Sequence, residues 1–315
     1  MNALPELTDI RAAAARIAPH AVVTPVLRSA ALDALAGAHL HFKCEQLQRG
    51  GAFKFRGACN AVWSLSDEEA AHGVVTHSSG NHGNALALAA ATRGIQAHVV
   101  VPEGAVKAKV DAIARAGATL HRCAPTQAAR EAMCAAVQAQ TGATLVHPYA
   151  DARVMAGQGT IALELLRQVP SLEVIVAPVG GGGLMSGIAI AAHALNPELG
   201  LVAAEPAGAD DAARSLAANT RVTSVVPDTV CDGLRALVGE PNLAALRAHQ
   251  VSIVTVTDAE AVAAMRLVWS ELKQVVEVSS ATVLAAVLKA PGRFAGREVG
   301  LVVTGGNVDL DALPW

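Results

Sequence analysis

Short runs rich in β-branched residues, each closed by glycine or proline, alternate along this chain with alanine-rich stretches. The segments "GVVTHSS", "AHVVVPE", "TLVHPYA", "VIVAPVGG", "GLVAAEP" and "VGLVVTGG" read as strands. Between them, "NALALAAATRG", "AKVDAIARAG", "TQAAREAMCAAVQAQTG", "GTIALELLRQV", "LMSGIAIAAHAL" and "DAEAVAAMRLVWSELKQ" read as helices. Strands that are apolar on both faces and separated by helices belong to mostly parallel sheets covered on each side. The chain is an α/β protein, and its 315 residues, 52% of them hydrophobic, suffice for two lobes with a large core. No fixed-period repeat and no low-complexity linker divides it, so the lobes are interleaved rather than strung in series.

Charge and cysteine content narrow the partners. With 24 basic and 27 acidic residues the net charge is −3, which offers neither a broad basic surface for nucleic acid nor a polybasic membrane anchor. No apolar run reaches the ~18 residues of a membrane span. The N-terminal "MNALPELTDIRAAAARIAPH" breaks its apolar stretch with Glu6, Asp9 and Arg11, unlike a signal peptide. Cys44, Cys59, Cys123, Cys134 and Cys231 are odd in number and contain no C-x-x-C pair, so neither a disulfide framework nor a structural zinc site is expected, and a reducing cytoplasm fits. Small-molecule chemistry is the expectation.

The stretch "GGAFKFRGACNAV" sets Lys54 between two phenylalanines in a chain that is only 3% aromatic. Read as extended, it turns Phe53 and Phe55 one way and Lys54 the other. Lys107, Lys109, Lys273 and Lys289 lie in helix-like, charge-bearing surroundings, which leaves Lys54 as the odd one. Most lysines snorkel to water. An amine wrapped in apolar surface instead loses its proton and becomes a nucleophile toward aldehydes.

Three strands end in small polar or glycine-rich turns, and parallel sheets gather ligands at their carboxyl edge. In "THSSGNHGNALALAA", Ser78, Ser79, Gly80, Asn81 and His82 precede a helix start suited to a carboxylate, although Ser and Asn equally cap helices. In "VIVAPVGGGGLMSGIA", the run Gly180, Gly181, Gly182, Gly183 lets backbone N–H groups cradle a phosphate, with a hinge as the plainer alternative. It is neither G-x-G-x-x-G nor a P-loop. In "GLVVTGGNVDL", Thr304 either bonds its own backbone or offers its hydroxyl to a ring nitrogen.

Together with "AGQGTIALEL", these motifs in this order resemble the pyridoxal phosphate (PLP) enzymes of the tryptophan synthase β-like fold, in particular the serine/threonine dehydratase and serine racemase family. The likeness runs from "ARIAPHAVVTPVLRS" to "TGGNVDLDALPW", nearly the whole chain. It implies two interleaved open, mostly parallel sheets flanked by helices, with a large cofactor-binding domain (1–65 and 149–315) and a small mobile domain (73–148). It further implies that Lys54 joins the cofactor aldehyde, Phe53 packs near the cofactor, Asn81 bonds its phenolic oxygen, Gly180 to Gly183 hold its phosphate and Thr304 meets its pyridine nitrogen. Ser78, Ser79, Asn81 and His82 match the substrate-carboxylate turn, Ser79 the residue facing the substrate opposite Lys54, and Arg130 an arginine brought in as the small lobe closes. "EPAGADD" resembles a cation site made by Glu205, the Ala209 carbonyl and Asp211, whose oxygen-only donors suit magnesium, calcium or manganese. Two carboxylates in an acidic loop are otherwise solvated. A homodimer is the implied assembly.

Some positions depart from the family pattern. Ala52 stands where a serine is usual, Val278 follows Glu277 in place of proline, Thr304 replaces serine, and Ala236 in "DGLRAL" falls where serine racemases carry a serine. The implied reaction is β-elimination from L-serine or L-threonine, with serine racemisation and β-hydroxyaspartate dehydration as the enzymic alternatives and an inactive scaffold as the non-enzymatic one. The chain's end soon after its last core strand leads us to expect no feedback regulatory domain.

Overall fold

The computed structural model describes residues 4–315 and divides the chain between two sheets. The larger has six strands in the order β1-β2-β10-β7-β8-β9, namely Val26–Leu27 (β1), His39–Cys44 (β2), Glu298–Val303 (β10), Val174–Pro178 (β7), Gly200–Pro206 (β8) and Ser252–Val256 (β9). All neighbours are parallel except the β1–β2 pair. The smaller sheet is entirely parallel, ordered β5-β4-β3-β6 from Thr119–Cys123 (β5), Ala97–Pro102 (β4), Val74–His77 (β3) and Thr144–Leu145 (β6). The expected pair of interleaved, helix-flanked sheets is therefore present.

Side-chain alternation sorts the large sheet's residues into two cores. On β7, Val174 and Val176 pack with Phe42, Leu301 and the helix Val278–Lys289, whereas Ile175 and Ala177 pack with the helices Ala152–Gln168 and Gly183–Leu195. A third core, with Val99, Leu86 and Ile113, covers the small sheet's inner face.

Strand order decides where ligands can gather. After β3 the chain adds β4 and β5 on one side and β6 on the other; after β7 it adds β8 and β9 on one side and β10 on the other. The carboxyl ends of β3 and β7 are thus topological switch points, where adjacent connections diverge and open a crevice. The Ser78–Asn81 turn follows β3, the four glycines follow β7, and Thr304 follows β10.

The local reading around Lys54 is corrected here. Residues Lys54–Trp63 form a helix, not a strand, so Phe53 and Phe55 do not share a face. Phe55 is buried in the small-sheet core and Phe53 packs on the edge of the large-sheet core. Tertiary ion pairing fixes this helix: Arg56 is fully buried, donates from Nε and Nη2 to Glu45 and from Nη1 and Nη2 to Glu164. Removing one partner from such a buried network leaves an uncompensated charge, at a cost of about 3–5 kcal/mol. Lys54 is also not the only odd lysine. Lys43 is fully buried, its amine bonded to Glu164, Gln168 and the Thr24 carbonyl.

Candidate active site

Lys54 sits at the first turn of its helix, and its Nζ donates to the Pro148 carbonyl at 3.0 Å and lies 5.1 Å from the Phe53 ring centroid. Desolvation pushes its pKa down to about 8, while the Glu277 carboxylate acts in the opposite sense. The end of β10 closes on this lysine. Phe53 N–H donates to Thr304 O at 2.9 Å, and Ala52 bridges Gly305, so the usual serine hydroxyl at that position is replaced by a buried methyl group between the two segments. The Thr304 hydroxyl is buried 2.9 Å from Ser280 Oγ. Ser280 in turn donates to Gly305 O and accepts from Gly305 N–H, so this end of the site presents two neutral hydroxyls.

The glycine loop leads into the helix Gly183–Leu195, whose first N–H groups have no intrahelical acceptor. Glycine is demanded by contact: a Cβ on Gly181 would fall 2.4 Å from the Tyr149 ring, and Gly182, at φ +91°, would set one 2.7 Å from Asn242 Cβ. Tyr149 follows Pro148, so the segment that receives the Lys54 hydrogen bond also packs on the glycine loop. A desolvated lysine amine, a backbone-only anion cradle and a buried hydroxyl pair fit a pyridoxal phosphate by their chemistry.

Asn81 opens the helix Asn81–Arg93 behind Gly80. Its Nδ2 donates to Glu277 Oε1 and its Oδ1 accepts from Asn307, both at 2.9 Å. Ser78 and Ser79 remain partly open, with Ser78 Oγ accepting from Gly80 N–H at 3.4 Å. The His82 ring points inward instead: it is buried, with Nε2 on Val146 O and Nδ1 unpartnered. Its offer to a carboxylate is therefore the backbone N–H at the helix start. Arg130 stands on the helix Gln127–Thr141 beside His77, with a buried Nε that has no acceptor.

Four neighbours were given no role by the sequence, although Asn307 lies in "GGNVDL" and His147 and Tyr149 in "TLVHPYA". Glu277 is buried, and desolvation pushes its pKa up to about 7. His147 is driven down to about 4 by burial first, then by His77 and Lys54. Its ring lies edge-on to both His77 and Tyr149, and its Nδ1 accepts the Ala150 N–H at 3.0 Å. Tyr149 and Asn307 complete the set. The signal for Glu277 was present in the altered pair Glu277-Val278, but nothing in that pair points to a lysine so far away in sequence. Across the cleft mouth, Lys109 pairs with Asp232.

Because Glu277 raises the Lys54 proton affinity, Glu277→Gln makes the amine easier to deprotonate. The rate at which cofactor-free protein takes up pyridoxal phosphate should rise with pH through about 8 as Lys54 becomes neutral, and the midpoint should move to lower pH in the variant. Stopped-flow absorbance across pH 6–10 measures this; an unchanged or higher midpoint contradicts the coupling.

Glu205 and Asp211 come together apart from this cleft, at the end of β8 and the start of the helix Asp211–Ala217. Both are buried, as is Ala209 in the turn between them. Glu205 accepts the Ala212 and Ala213 N–H groups at 2.8 Å, and Asp211 accepts Val238 N–H at 2.7 Å. Among the described residues neither carboxylate has a cationic side chain within ion-pair distance, although Arg221 stands near enough to Asp211 to favour its charged form.

A family model described as "Pyridoxal-phosphate dependent enzyme" matches residues 17–305. The chain belongs to that family. It is 50% identical over 312 residues to a β-hydroxyaspartate dehydratase from Paracoccus denitrificans, covering 99% of each chain. A serine racemase of Arabidopsis thaliana is 48% identical over 313 residues, 98% of this chain and 95% of the relative. The solved structure of maize serine racemase superposes with a TM-score of 0.94 at 44% identity, covering 97% of this chain and 94% of the other. This PLP-dependent, fold type II enzyme thus has both dehydratases and racemases among its relatives.

Proposed function

We propose that this enzyme is an ammonia-lyase that converts L-serine or L-threonine to a 2-oxo acid and ammonia by β-elimination, with serine racemisation as an alternative or side activity. The observation that carries the reading is the neutral Thr304–Ser280 hydroxyl pair, 2.9 Å apart, at the carboxyl end of β10, the strand beside the one that leads into the glycine cradle. When bound, the pyridoxal phosphate supplies a conjugated ring that takes up charge from the substrate's Cα. A hydroxyl partner does not enforce protonation of the ring nitrogen as a carboxylate would, which favours prompt loss of the β-hydroxyl.

The chain's own groups do the rest. The turn at Ser78, Ser79 and Asn81, with the His82 backbone N–H, holds the substrate carboxylate at a helix start. Neutral Lys54 removes the Cα proton. The Cα–H and Cβ–O bonds break, water leaves, and the released enamine takes up water to give the 2-oxo acid and ammonia. Phe53 and Tyr149 exclude water from the amine, and movement of the 73–148 lobe, latched by Lys109 and Asp232, brings Ser79 and Arg130 toward the substrate.

One observation favours a second reading. The buried, unpartnered Arg130 Nε is suited to a substrate with a second carboxylate, as in β-hydroxyaspartate. A panel of L-serine, L-threonine and the β-hydroxyaspartates, assayed for 2-oxo acid with chiral analysis of residual substrate, tests both. Preference for the dicarboxylate would replace the first reading, and activity on none would leave a scaffold.

We also infer that Glu205, Asp211 and the Ala209 carbonyl hold magnesium, calcium or manganese. Burial, first of all, pushes Glu205 up to about 8, and a cation is what two buried carboxylates without a positive partner lack. Chelator should lower the melting temperature of the parent and barely affect Asp211→Ala, since the ion binds only the folded loop. Equal sensitivity in both would remove the site. The exposed Val22, Val23 and Leu47 support a homodimer, and five buried free thiols suit a reducing cytoplasm.

A further inference from the structure

The glycine-loop helix Gly183–Leu195 lies beside the helix Glu240–Ala248. Near their N-terminal ends the two are joined by Asn242, whose Nδ2 reaches Ser186 Oγ at 3.3 Å. About two turns further along both helices they meet again through a pair of histidines. His249, the C-cap of the second helix, places Nδ1 at 3.3 Å from Nδ1 of His193, in the last turn of the first. The ring planes are inclined at 61°, with centroids 5.3 Å apart. His193 Nε2 lies 3.0 Å from the Leu199 carbonyl, an acceptor only. That nitrogen must carry the ring proton, which leaves Nδ1 with its lone pair facing His249.

We propose that His193 and His249 form a site for a divalent transition metal, zinc in the first place, bound through the two Nδ1 atoms with water completing its coordination. Zinc–imidazole bonds of ≈ 2.0–2.1 Å at tetrahedral angles separate two ligand nitrogens by about 3.3–3.4 Å, the separation found here, so the rings need only turn to aim both lone pairs at the ion. A ligating histidine whose other ring nitrogen donates to a backbone carbonyl is the usual arrangement for fixing tautomer and orientation, and Leu199 O supplies it. Two helix C-termini converge here, and their partial negative charge favours a cation. Imidazole selects zinc, copper and nickel over the hard cations suited to Glu205 and Asp211.

Among the described residues no group of three or more histidine, cysteine or acidic side chains is arranged for a metal, so this site has two protein ligands, with water filling the remaining positions. Its consequence is mechanical: the ion ties together the far ends of two helices, the first of which begins at the glycine loop, where Asn242 of the second packs on Gly182. A second histidine pair with ring nitrogens in hydrogen-bond range, His98 Nδ1 and His121 Nε2 at 3.1 Å, has no carbonyl fixing either ring and serves as the comparison.

The test is zinc titration of the yellow holoenzyme, with magnesium in excess to fill oxygen-only sites, followed by calorimetry and by thermal unfolding. Parent and His98→Gln should each bind one zinc with micromolar affinity and melt higher with it, whereas His249→Gln should bind at least ten-fold more weakly and lose the shift. Circular dichroism and the cofactor absorbance establish that each variant is folded and loaded. A second variant, His193→Gln, should reproduce the loss. No zinc binding by the parent, undiminished binding by folded His249→Gln, or loss confined to His98→Gln would each overturn the assignment.

Discussion

Lys54→Ala should abolish 2-oxo acid formation, with a loss of at least ~10²–10⁴-fold from proton transfer alone. The protein should still bind pyridoxal phosphate through the glycine cradle, but with the absorbance of the free aldehyde. Two desolvated amines compete for the role. Lys43 also has a lowered proton affinity from desolvation, yet its Nζ is spent on Glu164, Gln168 and the Thr24 carbonyl inside the Arg56 ion-pair network. Lys54 Nζ has one neutral carbonyl partner and faces the cleft at the edge of the glycine loop. Borohydride reduction of the parent should therefore fix the cofactor to Lys54, and a peptide map with the adduct on Lys43 would sink the mechanism.

The contrast between those lysines shows what the sequence could and could not convey. Two of the three carboxyl-edge turns were legible as strand-to-helix junctions, because β-branched runs ending in Ser-Ser-Gly-Asn or four glycines signal strand and turn within a dozen residues. The state of "FKFRGA" was not, since an isolated aromatic-lysine-aromatic run suits a strand, and only the buried bonds from Arg56 to Glu45 and Glu164 make it a helix. Lys43 was overlooked because its partners Glu164 and Gln168 lie more than a hundred residues away, at separations of 121 and 125. Glu277 and Asn307 escaped for the same reason: both reach Asn81 across the lobes. The helix read over "DAEAVAAMRLVWSELKQ" ends at Leu267 and passes into a wider turn at Val268–Leu272, where Lys273 takes a left-handed conformation. There Trp269 donates to Val276 O, a contact that helical periodicity cannot encode.

Ser79→Ala should separate elimination from racemisation. Ser79 leaves the carboxyl end of β3 in the small sheet, whereas Lys54 opens a helix tied to the large sheet through Phe53 N–H and Thr304 O, so the two approach a substrate from different lobes. In the proposed mechanism both reactions begin when Lys54 removes the Cα proton of the L-substrate. Only racemisation must return a proton on the opposite face, and the Ser79 hydroxyl is the candidate donor there, being partly open in a turn where Ser78 already bonds Gly80 N–H. The variant should lose interconversion of L- and D-serine, together with D-serine dehydration that starts on that face. Elimination from the L-amino acid should survive, weakened by at most one hydrogen bond to a charged carboxylate, about 1.5–3 kcal/mol, or roughly ten- to a hundred-fold in kcat/KM. Following 2-oxo acid and enantiomer ratio side by side in parent and variant measures both arms. A variant that racemises as fast as the parent would assign the second proton to water or another side chain, and Ser79 would keep only its place in the carboxylate turn.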